Sequence, residues 1–363
     1  MTTVSAQIVG GIGPAPIRSH IQFTLGSTIG SGQGLNSDVF LAHDLQLDTQ
    51  LAMKRVPKTS FPSQTDYFAE ARRLYDARHK HIVEVKYSSE DADHIYLAMP
   101  FYRAGTLQGL LDRRHLTVGE VIRYGLEFLA GLNHVHVKGL VHLDVKPTNI
   151  LLDDSDTAAL ADFGLSREVS SHGLAEMPRA YRRHLPPERM TSDQVTKAAD
   201  VYQAGLTLYR LCVGTAEFER QVTASGLATD LTAISAGRFP DRRRFLPHTP
   251  ARLRAVIRKA LEVQPSDRYR AVLDLMNALA LVDTALDWTY NEGAQWGEGT
   301  WRESGYGTTR EVEVTASQGT WNVSASRVGA TGHRRHVRSF CKTGLSEADA
   351  RRVAQHAFTD PWR

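Results

Sequence analysis

Between about 21 and 102 the chain alternates short apolar runs with polar positions, at the length of single β-strands. The clearest runs are DVFLA (38–42), QLAMKRV (50–56) and IYLAMPF (95–101). One stretch differs, TDYFAEARRLYDAR (65–78), because its apolar residues recur at helical spacing. The pattern predicts a small strand-rich lobe that contains one helix.

From about 116 to 282 the apolar positions follow helical spacing. The long helical stretches are TVGEVIRYGLEFLAGLNHVHVKG, AADVYQAGLTLYRLCVG, ARLRAVIRKALEV and YRAVLDLMNALALVDTAL. They predict a second, larger lobe that is mostly helical. Residues 1–20 are rich in glycine and proline and are expected to form a flexible leader.

The pattern changes again over 284–363. All the tryptophans of the chain lie here: Trp288, Trp296, Trp301, Trp321 and Trp362. TREVEVTA (309–316) and GTWNVSASRV (319–328) alternate like half-buried strands, and SEADARRVAQHAF (346–358) has the pattern of a helix opened by Ser346. We expect a separate accessory domain of strands followed by a helix.

Composition excludes few classes of function. A net charge of +3 is too small to indicate a nucleic-acid or membrane partner by itself. Cys212 and Cys341 are far apart and fit no metal-binding spacing, which favours unpaired thiols in a reducing compartment. The start of the chain lacks a secretory signal pattern, and no window approaches the roughly 18–20 apolar residues of a membrane span. A cytoplasmic protein without a membrane partner is therefore expected.

Candidate chemistry begins with the glycine-rich stretch IGSGQGLNSDVFLA (29–42). Glycines allow backbone amides to approach phosphate oxygens closely, although a plain flexible turn has the same composition. The register Gly32-x-Gly34-x-x-Ser37-x-Val39 is followed by Lys54, at the end of LAMK. A lysine at that place is either a solvated charge or a phosphate ligand held by an acid, such as Glu70 on the next helix.

A second group of polar residues lies in HLDVKPTN and ADFGL. The carboxylate of Asp144 is suited to accept a hydroxyl proton, and Lys146 to neutralise a phosphoryl group in transfer. Asn149 and Asp162 offer the hard oxygen ligands that Mg²⁺ prefers. Each tripeptide is weak evidence alone, but their order and spacing together indicate phosphoryl transfer.

With these motifs in order, residues 21–282 resemble a eukaryotic-type (Hanks-type) Ser/Thr protein kinase domain of the bacterial, soluble kind. The motifs include HKHIV (79–83), LPPE (185–188) and DVYQAG (200–205), and Arg268 fits the late arginine that pairs with Glu188. The resemblance implies an α+β fold, namely a bilobal kinase with a β-rich N-lobe (21–102) and an α-helical C-lobe (103–282). The accessory domain at 284–363 is a small α+β module that resembles no family.

The resemblance also implies roles for the candidate residues. Lys54 would hold the phosphates of ATP and pair with Glu70, Asp144 would be the catalytic acid–base, and Lys146 would stabilise the γ-phosphoryl. Mg²⁺ or Mn²⁺ would be bound by Asn149 and Asp162. The implied nucleotide contacts are Gly32, Gly34, Ser37, Val39, Met99 as gatekeeper, Phe101 within the hinge Pro100–Arg103, and Thr106 near the ribose. A hydrophobic spine between the lobes would include Leu74, His142 and Phe163.

The sequence departs from the family pattern at three places. Leu143 replaces the arginine that usually meets a phosphate on the activation loop, which implies weak dependence on phosphorylation there. The segment AEMPRAYRRHLPPE lacks the usual threonine, so substrate docking is expected to differ. Ser37 replaces the third glycine and is expected to leave ATP binding intact. Ser166, Ser170, Ser171 and Tyr181 are either phosphorylation sites or ordinary loop hydroxyls.

Two basic clusters have open interpretations. Arginines 179, 182, 183 and 189 surround Glu188 and are either a solvated surface or a selector of acidic or phosphorylated substrates. In the tail, no acid interrupts the cations from 327 to 342, among them Arg327, Arg334, Arg335, Arg338 and Lys342, with His333 and His336 between. Beside exposed aromatics, such a loop would be solvated, or would bind a regulatory protein or nucleic acid.

The leading hypothesis is an ATP- and Mg²⁺-dependent protein Ser/Thr kinase with a protein substrate and a targeting or regulatory tail. A nucleotide-binding pseudokinase scaffold acting through the tail, and a phosphotransferase acting on a small molecule, are the alternatives. Retention of Lys54, Asp144 and Asp162 favours an active enzyme over a scaffold.

Overall fold

The computed structural model describes residues 20–29, 37–61, 63–177, 182–227, 229–305, 307–360 and 362. These residues form two compact units. One comprises the described residues up to Gln64 together with Lys86–Phe101, and the other comprises Thr65–Val85 and the described residues from Tyr102 onward. The leader predicted at 1–20 lies outside the described residues except for His20.

The first unit is an antiparallel sheet in the order β1-β2-β3-β5-β4. Its strands are β1 (Phe23–Thr28), β2 (Asp38–Asp44), β3 (Thr49–Pro57), β4 (Tyr87–Glu90) and β5 (His94–Pro100). One face packs into a small core around Met53 and Ala98, which are opposite each other in register. Because side chains alternate along a strand, the neighbours of these residues point to the other face.

The second unit is built around helices. They are α1 (Ala69–Asp76), α2 (Leu107–Leu111), α3 (Val118–Val137), α4 (Ala198–Val213), α5 (Thr215–Ala224), α6 (Thr232–Ser235), α7 (Ala251–Ala260) and α8 (Val272–Ala280). Short antiparallel pairs stand between α3 and α4: β6 (Leu140–Val141) with β9 (Arg167–Glu168), β7 (Ile150–Leu152) with β8 (Ala158–Leu160), and β10 (Ala175–Glu176) with β11 (Gln194–Val195). The main core lies between α3, α4, α7 and α8.

Helix α1 is grouped differently from the sequence prediction, which placed it in the strand-rich lobe. In the structure it belongs to the second unit. The guanidinium of Arg73 donates to the carbonyl oxygen of Phe163 at 3.4 Å, and Leu74 is buried. Local sequence pattern predicts the helix but carries no information about which unit the helix joins.

Residues after α8 form a second, six-stranded sheet. Its strands are β12 (Thr289–Glu292), β13 (Gly299–Gly305), β14 (Thr308–Ser317), β15 (Thr320–Gly329), β16 (Arg334–His336) and β17 (Lys342–Leu345). Helix α9 (Glu347–Thr359) follows, and the Ser346 hydroxyl accepts a hydrogen bond from the Asp349 amide at its start. The predicted strands and the helix opened by Ser346 are confirmed.

The tryptophans of this tail are mostly internal, so the expectation of exposed aromatics beside the basic loop is wrong. Only Trp321 retains partial exposure. The others pack with Tyr290 and Phe358 in the core between the sheet and α9: Trp288, Trp296, Trp301 and Trp362. Their burial explains their concentration, because a small domain needs large side chains to fill its core.

The tail and the helices belong to one compact unit, whereas the sequence predicted a separate accessory domain. The indole nitrogen of Trp301 donates to Nδ1 of His248 at 2.9 Å, and Leu246 is part of the tail's core. The Gly119 amide in α3 donates to the Leu286 carbonyl at 2.8 Å. These contacts join segments far apart in sequence, which local patterns do not reveal.

Candidate active site

In the first unit, three of the sequence-predicted nucleotide residues share one face of the sheet. Val39 is opposite Lys54 in register, and Lys54 is opposite Leu97 on β5. Met99 lies two residues further along β5, hence on the same face. Lys54 is 8% exposed, so most of the side chain that bears its ammonium group is buried.

The remaining nucleotide candidates of this unit lie at its margins. Ser37 immediately precedes β2, and Phe101 immediately follows β5; both are half-buried. Gly32 and Gly34 lie outside the described residues. The nucleotide roles of these four residues stay predictions.

In the second unit, the loop after β6 is fixed by a carboxylate from α4. The backbone amides of His142 and Leu143 donate to Asp200 at 2.8 and 2.7 Å, and the His136 ring lies 2.7 Å from the same carboxylate. Burial alone would raise the pKa of Asp200, but these hydrogen bonds and the nearby histidines hold that pKa below its usual value. An ionised, fully buried Asp200 therefore anchors the loop that carries Asp144.

The two carboxylate oxygens of Asp144 have different surroundings. Oδ2 accepts hydrogen bonds from Lys146 Nζ at 2.7 Å and from Asn149 Nδ2 at 2.7 Å. Oδ1 is buried and accepts no hydrogen bond from any residue that the structure describes. A buried acceptor without a partner is costly, so Oδ1 is set to receive a donor from outside the loop.

Asn149 and Asp162 offer oxygen ligands next to each other. Asn149 directs its amide NH₂ to Asp144, which leaves its Oδ1 facing elsewhere, and its carbonyl accepts from the Ala161 amide at 2.8 Å. Asp162 is adjacent to Ala161 and has φ of +63°, a conformation that non-glycine residues adopt at a cost. An amide oxygen and a carboxylate fit Mg²⁺ or Mn²⁺.

This donor set is small. Among the described residues, no group of three or more His, Cys, Asp or Glu side chains is arranged to hold a metal. Mg²⁺ usually keeps several water ligands and shares others with substrate phosphates, so one amide and one carboxylate suffice for it. The residues present therefore fit a magnesium ion bound together with a nucleotide.

Two of the expected spine residues are in contact. The rings of His142 and Phe163 meet edge to face with centroids 4.8 Å apart, and both are buried. Burial lowers the pKa of His142, which favours a neutral ring against Phe163. Leu74 is buried in the same unit.

The nucleotide-related roles of Glu70 and Thr106 stay predictions. Glu70 lies in the first turn of α1 and belongs to the second unit, whereas Lys54 belongs to the first. Their pairing stays a prediction. The Thr106 hydroxyl accepts from the Gly109 amide at 3.0 Å and caps α2, which gives this residue a structural role beside any contact to a ribose.

The activation-segment arginines are partly neutralised within the chain. Arg183 pairs with Glu219 at 2.6 Å, and Arg189 pairs with Asp193. Arg182 is exposed, and 179 lies outside the described residues. These ion pairs reduce the number of arginines available to select an acidic substrate.

The hydroxyl candidates of this segment differ in access. Ser166 is fully buried and donates to the His142 carbonyl at 3.4 Å, so it is neither an exposed loop hydroxyl nor an accessible phosphorylation site. Ser170 and Ser171 are exposed. Tyr181 lies outside the described residues.

Sequence reasoning missed the residues that hold the loop from behind. Gln203 and His184 are buried and bind backbone groups of the Asp144 loop. Gln203 lies within the DVYQAG motif, but neither residue was a site candidate. No sequence signal pointed to His184, since its partners are 26 and 39 residues away.

The family model of the protein kinase domain matches residues 23–278. The match covers well over half of the chain and includes both units up to α8. The chain therefore belongs to the protein kinase family, with the sheet of the first unit and the helices of the second as its two lobes.

Individual relatives agree with this membership. The chain is 26% identical to serine/threonine-protein kinase PrkC of Bacillus subtilis (strain 168), over 70% of this chain and 39% of PrkC. It is 26% identical to the probable serine/threonine-protein kinase PknB of Lactococcus lactis, over 70% of this chain and 41% of PknB. It is 29% identical to serine/threonine-protein kinase PknL of Mycobacterium tuberculosis, over 65% of this chain and 60% of PknL. The matched region thus spans less than two thirds of each relative's length.

No helix among the described residues is long and apolar enough to cross a membrane.

Proposed function

We propose that the protein is an ATP- and Mg²⁺-dependent protein serine/threonine kinase. The observation that carries this proposal is the pair of unlike oxygens on Asp144. Oδ2 is held by Lys146 and Asn149, whereas Oδ1 is buried and has no partner among the described residues. A serine or threonine hydroxyl donating to Oδ1 would satisfy that acceptor and would be aligned for attack.

The mechanism follows from these contacts. The acceptor hydroxyl donates to Asp144 Oδ1, its oxygen attacks the γ-phosphorus of ATP, and the bond to the bridging β–γ oxygen breaks to release ADP. The proton passes to Asp144. The Lys146 ammonium, 2.7 Å from Oδ2, would stabilise an oxygen of the γ-phosphoryl group as charge moves onto the leaving oxygen.

The metal ion would be bound through Asn149 Oδ1 and the Asp162 carboxylate. When bound, Mg²⁺ or Mn²⁺ supplies charge neutralisation on the nucleotide phosphates. The positive φ of Asp162 and the hydrogen bond from the Gly164 amide to its Oδ1, at 3.4 Å, favour one direction of that carboxylate. Lys54 and Glu70 are proposed to complete the nucleotide site.

Control by phosphorylation of the activation loop is proposed to be weak. Leu143 is completely buried in a cluster with Ala175, Met177 and Leu185. Residues 175, 177 and 185 belong to the activation segment, which follows the ADFGL motif. Apolar packing against Leu143 therefore holds this segment, a task that the family's arginine performs by binding a phosphate. Backbone pairing of β9 with β6 and of β10 with β11 adds to it.

The tail is proposed to bind an acidic regulatory protein through a basic edge, defined as Arg327, Arg335, Arg338 and Lys342. These residues are exposed and have no acidic partner among the described residues. Arg327 is opposite Arg335 in register, and facing like charges destabilise a sheet unless an anion joins them. Because four tryptophans are buried, a stacking surface for single-stranded nucleic acid is not favoured.

Radiolabelled ATP and casein, with wild-type protein and Asp144→Asn, test the kinase proposal. Wild type should label serine or threonine residues, and the variant should lose activity by about 100-fold or more while retaining nucleotide binding. Equal labelling by both proteins would contradict catalysis by Asp144. ATP binding without transfer by wild type would favour the pseudokinase scaffold. Labelling of small metabolites alone would favour a phosphotransferase that acts on a small molecule.

The tail proposal has its own test. Binding of polyglutamate and of a single-stranded RNA is measured for wild type and for Arg335→Glu/Lys342→Glu, with Arg252→Glu/Arg270→Glu as a control of equal charge change at exposed arginines elsewhere. Loss of polyglutamate binding in the first variant alone would support the basic edge. Binding of RNA without polyglutamate would contradict an acidic protein partner.

A further inference from the structure

A buried polar network joins the loop of Asp144 to the substrate segment, defined here as residues 182–188. His184 is 1% exposed and lies at the end of a single helical turn, Arg182–His184. Its Nδ1 is 3.2 Å from the carbonyl oxygen of Val145. Its Nε2 is 2.7 Å from a guanidinium nitrogen of Arg210 on α4.

These partners determine the protonation of the His184 ring. Arginine has only donors, so Nε2 must be the accepting nitrogen. Nδ1 must then carry the proton that it donates to the Val145 carbonyl. Burial, Arg210 and Lys146 keep the pKa of His184 well below its usual value, so the ring remains neutral with this one tautomer.

Gln203 supports the same loop from α4. Its Oε1 accepts from the Val145 amide at 3.1 Å, and its Nε2 donates to the carbonyl oxygens of Leu143 at 3.0 Å and His184 at 3.2 Å. An amide NH₂ has two hydrogens, so both are used. Thr207 adds a donor to the Val145 carbonyl at 3.2 Å.

The network acts on the peptide groups on either side of Asp144. Leu143 and Val145 flank the catalytic carboxylate in sequence, and both are held by Gln203, while Val145 is also held by His184. The substrate segment is therefore hydrogen-bonded to the same peptide that sets the direction of Asp144. The segment is the end of AEMPRAYRRHLPPE, the stretch that lacks the family's threonine.

We infer that His184 is a positioning residue that aligns the substrate segment with Asp144, in place of the missing threonine contact, and that Gln203 completes this alignment. The inference rests on the proposed kinase function. Its expected consequence is specific: loss of the Val145 contact should impair transfer to a protein hydroxyl without weakening nucleotide binding. A purely structural role would lower every property together with folding stability.

Two substitutions test the two ring nitrogens of His184 separately. His184→Asn keeps a donor near the Nδ1 position and loses the acceptor for Arg210. His184→Gln places its amide near the Nε2 position, so it keeps an acceptor for Arg210 and loses the donor to Val145. His248→Asn is the matched control, because His248 is likewise a buried neutral histidine and lies outside the network.

The experiment measures kcat and KM for casein, the Kd of ATP and the thermal midpoint for these proteins. We expect His184→Gln to lower kcat/KM for casein by 10- to 100-fold with the Kd of ATP within about twofold, and His184→Asn to recover most of that loss. Equal casein kinetics in all variants would overturn the inference, as would parallel losses in the Asn and Gln variants that follow their thermal midpoints. A wild-type protein that does not phosphorylate casein or any lysate protein would instead overturn the proposed function.

Discussion

Arg268 and Glu188 form a two-pronged ion pair, with the two guanidinium nitrogens 2.8 and 2.6 Å from the two carboxylate oxygens. The Arg268 side chain is completely withdrawn from solvent, and its other hydrogen bonds go to the carbonyl oxygens of residues 198, 262 and 263. The family resemblance implied this pair, and the structure confirms it. It ties the end of the substrate segment to the start of α4.

Removal of one partner of this pair should destabilise the protein strongly. Arg268→Ala would leave Glu188 with an uncompensated charge and several carbonyls without donors, at a cost of about 3–5 kcal/mol in the free energy of unfolding. Arg268→Lys should cost less but remain clearly destabilising, since a lysine cannot form the parallel pair. Urea denaturation measures both, and a change below about 1 kcal/mol for the alanine variant would show that the pair is dispensable.

Restoring the family's usual arginine at 143 should harm this protein. Leu143→Arg would place a charge in a closed apolar cluster, and we expect a loss of more than about 4 kcal/mol in unfolding free energy, with reduced kinase activity. Leu143→Met is the matched control, and it should cost less than about 1.5 kcal/mol.

The wild type should retain its activity after phosphatase treatment. If phosphatase treatment inactivated the wild type, that result would contradict the proposal that apolar packing on Leu143 orders the activation segment.

The hydrogen bond from Trp301 to His248 should contribute to the docking of the tail. Trp301→Phe removes the donor and leaves a buried ring nitrogen without a partner, so we expect a cost of about 1–3 kcal/mol beyond the lost apolar contact. Trp321→Phe is a suitable control, because that ring is partly exposed. Chemical denaturation should show the difference, and equal stabilities of the two variants would argue against the hydrogen bond.

The same histidine should make stability depend on pH. Burial lowers the pKa of His248 to about 3 from an ordinary value of 6.5. The unfolded chain then binds the extra proton first as the pH falls, so the stabilisation from His248 is complete above about 6.5 and is lost progressively between about 6.5 and 3. Between pH 7.5 and 5.5 this residue alone should account for about 1.4 kcal/mol.

His248→Asn keeps an acceptor for Trp301 and cannot titrate. Its unfolding free energy should therefore fall less over that pH interval than that of wild type, by about 1.4 kcal/mol. His142 and His184 also have lowered pKa values and contribute in both proteins, so the difference between the two curves isolates His248. Parallel curves would mean that His248 is protonated equally in the folded and unfolded states.

The sequence predicted much of the local structure because local structure has a local cause. Alternation predicted β14 and β15, helical spacing predicted α3 and α4, and Ser346 marked the start of α9. The residues proposed for phosphoryl transfer were also singled out from a short stretch of sequence. Asp144, Lys146 and Asn149 lie within six positions, so their hydrogen bonds follow from a single short loop.

What the sequence did not reveal depends on contacts between distant segments. His184 meets Arg210 across 26 positions, and Trp301 meets His248 across 53. Arg242 and Arg244 belong to a run of three arginines, yet both are paired with acids elsewhere in the chain. A charge pattern along the chain does not show which charges are neutralised in space.

The junction at Leu246 and His248 has a practical consequence for anyone who shortens this chain. The family match ends at residue 278, but the apolar side chains that pack with Leu246 come from residues 288 onward. A fragment trimmed to the family boundary would present that surface to water and leave His248 without its indole donor. For expression or crystallisation, a fragment that keeps the packing around Leu246 and His248 should extend through Trp362.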